Sequence, residues 1–144
     1  MGFKFLVLLA GFAGLQVMAA EKYEAVYAAY DKDAKKVCEL RVIKATVGAK
    51  WEQTTFEVET GYKHGKETPG TFALALDATD KNQTLFVGES EEDHGSKLLL
   101  RLREKDATKP YSYTLKWAHG THAHTFNCKG AKSKMGDEGL QKVD

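Results

Sequence analysis

Three histidines lie within six residues, His119-Gly120-Thr121-His122-Ala123-His124, in a chain that holds five histidines and two cysteines. Imidazole nitrogens bind zinc, copper and nickel, zinc at about 2.0–2.1 Å. Residues two apart on a β-strand point to the same side, with Cα atoms about 6.5–7 Å apart. His122 and His124 can therefore aim at one ion, and His119, at the turn before them, is the candidate third ligand. A His-x-His pair is also what a satisfied core pair or a plain surface hairpin looks like, so the spacing alone does not select a metal. Just upstream, Tyr111, Tyr113, Leu115 and Trp117 recur at every second residue. Trp117, Tyr111 and Tyr113 thus offer an aromatic wall to a small ligand.

These side chains need two paired strands to position them. With His119-Gly120 as a two-residue turn, Trp117 falls opposite His122 and Leu115 opposite His124. His122 and His124 share a face with Phe126 and Cys128. The expectation is that the two histidines line the interior near one end of the fold, beside Trp117 and the tyrosine stripe.

The surrounding sequence has the period of strands. Cys38, Leu40 and Val42 alternate with Glu39 and Arg41; Phe72, Leu74 and Leu76 share one face; Leu98, Leu100 and Leu102 alternate with Leu99, Arg101 and Arg103. Turn-forming runs separate them at roughly 8 to 12 residue intervals. The pattern predicts an all-β antiparallel meander of about eight strands forming a small barrel. A β-sandwich, with or without an N-terminal helix, is the alternative. Residues 22–36 are where the two differ. Tyr23, Val26, Tyr27 and Tyr30 recur at helical spacing, whereas Tyr23, Ala25, Tyr27 and Ala29 share a strand face. The strand reading is preferred because it completes a meander able to close on itself and remove its edges.

The two ends read differently from the middle. Met1–Lys4 is a short basic start, Phe5–Leu15 is apolar, and Gln16–Ala20 supplies a small-residue exit. This is the layout of a secretory signal peptide over residues 1–20, cleaved after Ala19 or Ala20. Its apolar run is shorter than the roughly 20 residues that span a bilayer, and no membrane span is expected elsewhere. The remainder reads as one β domain over 21–128 and a flexible polar tail over 129–144, rich in glycine and lysine.

Export into a secreted or periplasmic compartment favours pairing Cys38 with Cys128. Cleavage takes one basic residue, Lys4, from the 21 and leaves 20 against 20 acidic side chains. Such balance argues against nucleic acid as the partner, since phosphate binders carry a basic excess. Neither a nucleophile motif nor a phosphate-binding glycine loop is present in the sequence. The functional expectation is an exported, non-enzymatic β-barrel protein binding a small ligand or a zinc, copper or nickel ion at one end. The alternative is a protein-binding module, such as an inhibitor of a secreted enzyme, working through the loops Gly61–Gly70 and Gly88–Gly95.

Overall fold

The computed structural model describes residues 22–62, 70–79, 83–90, 95–119, 121–130, 132–133, 136–137 and 139–143. The expected signal segment and the centres of the two proposed contact loops, 63–69 and 91–94, lie outside the described residues.

Alternation of apolar and polar side chains produces the strands in chain order. They are β1 (Ala25–Tyr30), β2 (Lys36–Thr46), β3 (Thr55–Tyr62), β4 (Phe72–Thr79), β5 (Gln83–Glu89), β6 (Lys97–Arg103), β7 (Pro110–His119) and β8 (His122–Lys129). Three short strands follow: β9 (Lys132–Ser133), β10 (Gly136–Asp137) and β11 (Gln141–Val143). A 3-10 turn, Trp51–Gln53, precedes β3. The ambiguous segment is a strand, β1, in which Tyr27 and Ala29 join the core and Ala25 packs against it. It turns into β2 because the Asp31 carboxylate accepts hydrogen bonds from the backbone N–H groups of Asp33 (2.8 Å) and Lys35 (3.0 Å), with Ala34 in the left-handed region at φ 61°.

The main sheet has nine antiparallel strands in the order β11-β1-β2-β3-β4-β5-β6-β7-β8. It is a meander curled into a half-barrel. The disulfide measures the curl. In a flat sheet, six strand spacings of about 4.8 Å would separate β2 from β8 by about 29 Å. Instead Cys38 and Cys128 are bonded, with Cα atoms 6.0 Å apart. Beside them the Tyr113 hydroxyl on β7 donates to the Glu39 carbonyl on β2 at 3.3 Å.

Curling brings the inward faces together into one core. Leu40, Val58, Phe72, Phe86, Leu98, Leu100, Leu102 and Tyr113 are completely buried there. Phe56 meets Phe86 edge-on, with ring centroids 4.9 Å apart, and Trp51 meets Phe86 similarly at 5.8 Å. At Gly88 on β5 a Cβ would collide with the Ala73 carbonyl of β4, so only glycine permits this approach of the two backbones.

Part of the segment expected to be a free tail is built into the sheet. Leu140 donates its backbone N–H to the Tyr111 carbonyl at 3.2 Å and its side chain joins the core. Gln141–Val143 then pairs with Val26–Ala28 of β1. The last residues thus run from β7 across the seam to the first strand. A composition of Gln, Lys and Val gave no apolar alternation from which to expect this.

On the outer surface the residues leading into β1 are tied to β2 and β3 by charge. The Tyr23 hydroxyl donates to Glu59 at 2.7 Å, Arg41 donates to Glu39 at 2.7 Å and reaches Glu59 at 3.5 Å, and Lys22 and Lys36 add pairs at 3.3 and 3.0 Å. Burial pushes both carboxyls up. Hydrogen bonds outweigh it and hold them below their ordinary value, from Lys36 and Arg41 on Glu39, and from Tyr23 and Lys22 on Glu59.

Two outcomes follow from this construction. Replacing both cysteines, Cys38→Ser with Cys128→Ser, removes the link across a 90-residue separation. Unfolding in urea should then show a stability loss of roughly 4 kcal/mol. Because Glu39 and Glu59 sit below their ordinary carboxyl value of 4.5 in the folded chain, their stabilisation is present above that value and lost as pH falls through and below it. Between about pH 5 and pH 3 the variant Glu39→Gln/Glu59→Gln should therefore lose less stability than the unaltered chain, as read from thermal melts across that range.

Candidate functional site

The candidate site is the far end of the β7–β8 hairpin. Its ladder pairs Tyr113 with Cys128, Leu115 with Phe126, Trp117 with His124 and His119 with His122. The connection is therefore residues 120–121, one place later than a turn at His119-Gly120. Moving a two-residue loop by one position shifts each cross-strand partner by two. Trp117 accordingly faces His124 rather than His122, and Leu115 faces Phe126 rather than His124. Parity survives the shift: Trp117, His119, His122 and His124 occupy one face of the ladder.

Burial does not follow the expectation. His122 and His124 are exposed, as are Ala123 and Thr125 on the other face of the strand. Toward Cys128 the same strand is buried, at the disulfide. At this end β8 is thus open to solvent on both faces, while Trp117 of β7 still packs against the core, and the histidines do not line the interior. The physical reason is the seam. The disulfide and Tyr113 hold one end of β8 against β2, and no described strand pairs with its outer edge.

A stacked pair of rings helps to order this end. The indole of Trp117 stacks on the His124 imidazole, with centroids 5.3 Å apart and planes 19° from parallel. The stack covers one flat face of the imidazole and leaves its edge, where the nitrogens lie, in an exposed residue. Of the three expected ligands, His122 and His124 share this exposed face, while the His119 side chain lies outside the described residues. Among the described residues, no three His, Cys, Asp or Glu side chains gather as a metal-binding group.

The aromatic wall is dispersed. Tyr113 is buried in the core, with its ring 6.2 Å from Phe126. Tyr111 lies under the Arg103 guanidinium, 4.5 Å from its ring centroid. A register shift between Arg101 and Leu102 breaks the ladder at this point, pairing Leu102 with Pro110. Only Trp117 of the three is at the hairpin's end. A groove of about 410 Å³ lies elsewhere, among side chains of β2, β3 and β4 that include Lys44 and Glu57.

Sequence reasoning also missed a chain of hydrogen bonds across β6, β7 and β8. Arg101 donates to the Thr114 hydroxyl at 3.2 Å, and that hydroxyl donates to the Asn127 side-chain oxygen at 2.7 Å. Thr114 and Asn127 are cross-strand partners. Their proximity is a matter of register, which no local motif encodes. Comparison with protein-family models, with characterised proteins and with solved structures gives no match.

Removing the stack should be visible without affecting the core. His124→Ala should shift the emission of Trp117 to longer wavelength while changing unfolding stability by less than about 1 kcal/mol. Fluorescence of the variant in a Trp51→Phe background isolates the signal. A stability loss of several kcal/mol would mean that the hairpin end is integral to the core.

Proposed function

We propose that the chain is an exported, non-enzymatic β protein that captures a transition-metal ion at the end of the β7–β8 hairpin. His122 and His124 are the primary ligands, His119 is the further candidate, and zinc, copper or nickel is the ion. The observation that carries the reading is the pair of exposed imidazoles two residues apart on one strand face, with one ring stacked on Trp117. A stacked imidazole has fewer orientations to lose on binding, and its nitrogens remain at the open edge. In the backbone ladder His119 is the register partner of His122, which is why it is kept as the further candidate.

Export is part of the same proposal. The signal-like run over 1–20 and the bonding of the two cysteines to each other both suit an oxidising compartment. Among the described residues, no helix is long and apolar enough to cross a membrane.

A second reading, a protein-binding module such as an inhibitor of a secreted enzyme, is favoured by the outer edge of β8, which no strand among the described residues pairs with. Such an edge accepts an extended peptide through main-chain hydrogen bonds. The interior small-ligand reading has less behind it, because Tyr113 is packed into the core and Tyr111 is engaged by Arg103.

Titration with Zn²⁺, Cu²⁺ and Ni²⁺ by calorimetry tests the metal reading. Saturable binding to at least one ion is expected, weakened by at least tenfold, or about 1.4 kcal/mol, in His122→Ala/His124→Ala. Equal binding by the double variant would overturn it, and a stoichiometric protein partner insensitive to that substitution would favour the second reading.

A further inference from the structure

We infer that the ion is shared between two copies of the chain, joined edge to edge through antiparallel β8 strands, each copy supplying His122 and His124. The inference rests on the metal reading above and names the partner that completes the site.

Two observations lead to it. First, the described residues offer an ion two imidazoles from one chain and no group of three ligands. Zinc in a closed site takes four ligands in a tetrahedral arrangement. Second, these imidazoles stand on the last strand of the sheet, whose outer edge has no described strand partner and whose residues 122–125 are exposed. An unpaired row of N–H and C=O groups is a template for another strand. At the other end of β8 the disulfide to β2 limits pairing to the hairpin's free end.

Geometry then selects the register. Self-pairing of one strand about a two-fold axis is antiparallel and isologous. Placing the axis at Ala123 sets Ala123 against its own copy, His122 against His124 of the second copy, and His124 against His122. Directly opposed residues share a face. All four imidazoles therefore stand on one side, at the corners of a rectangle about 5 Å by about 7 Å. From each corner an imidazole can turn toward the centre, so four nitrogens surround one ion. An axis at His124 would oppose His124 to itself and send His122 against Phe126, giving two close histidines rather than four.

The strand tolerates this pairing electrostatically. From His122 to Asn127 it carries no Lys, Arg, Asp or Glu, so no like pair of these charges is forced together. Trp117 lies on β7, on the side of His124 away from the new partner, and can keep its stack as the second copy arrives.

Sedimentation velocity of the exported chain with Zn²⁺ as the probe, combined with calorimetric stoichiometry, tests the inference. The expected result is a monomer in chelator that becomes a dimer at one Zn²⁺ per two chains, with no dimer from His122→Ala/His124→Ala. The variant Ala123→Glu keeps both histidines. It sets two carboxylates opposite each other at the axis, on the face away from the ion, and should weaken the dimer about fivefold. Uptake of one Zn²⁺ per chain by a persistent monomer overturns the shared site and leaves the metal reading standing. Dimers that form equally in chelator overturn the ion's bridging role. Absence of binding by Zn²⁺, Cu²⁺ and Ni²⁺ alike overturns the metal reading and this inference with it.

Discussion

Everything in this fold depends on the sheet meeting itself. A meander of antiparallel strands has one apolar face, and without a second layer that face would stay in water. Here the layer is supplied by curvature, which carries β8 round to β2 and lets Phe56, Phe86, Leu100 and Tyr113 share one core. The seam is held by three different interactions: the Cys38–Cys128 bond, the Tyr113 hydroxyl on the Glu39 carbonyl, and Leu140 beside Tyr111. The covalent link narrows the unfolded ensemble, the hydrogen bond fixes β7 on β2, and the last segment covers apolar surface between them. All three act near the same end of β8. Among the described residues the other end has no counterpart, so β8 exposes both of its faces there and only Trp117 of β7 keeps that end against the core. The candidate site is thus a by-product of where the closure stops.

Much of the fold was legible because alternation is a local property. Leu98, Leu100 and Leu102 declare an inward face within one short run, and the two cysteines had only each other to pair with. The segment at 22–36 was legible through consistency: as a strand, it completes the sheet. What escaped was register. Bulges between Val42 and Lys44, Leu76 and Ala78, and Arg101 and Leu102 each insert a residue and break the count of two. Pairing of Leu102 with Pro110 is why Tyr111 meets Arg103 rather than continuing the stripe of Tyr113 and Trp117. Such an insertion leaves no mark in the composition.

At the candidate site the face of each residue was readable and its environment was not. Parity put His122, His124 and Trp117 together, and they are together. Interior or solvent was a separate question. It is answered by whether another strand lies over that face, which is decided by residues as distant as Cys38. The turn was displaced by one position for a related reason: His119-Gly120 and Gly120-Thr121 are both acceptable two-residue connections by composition, and the choice between them is made by the whole β7–β8 ladder.

The pairing of β1 with β11 makes the first and last described strands neighbours. During synthesis, the first strand has its partner on one side once β2 is made, yet its other edge waits for Gln141–Val143, which emerges after every other strand of the sheet. The sheet therefore cannot be finished progressively from one end. Until β11 arrives, the edge of Val26–Ala28 stays without this partner, and a chain truncated before Leu140 keeps that edge open.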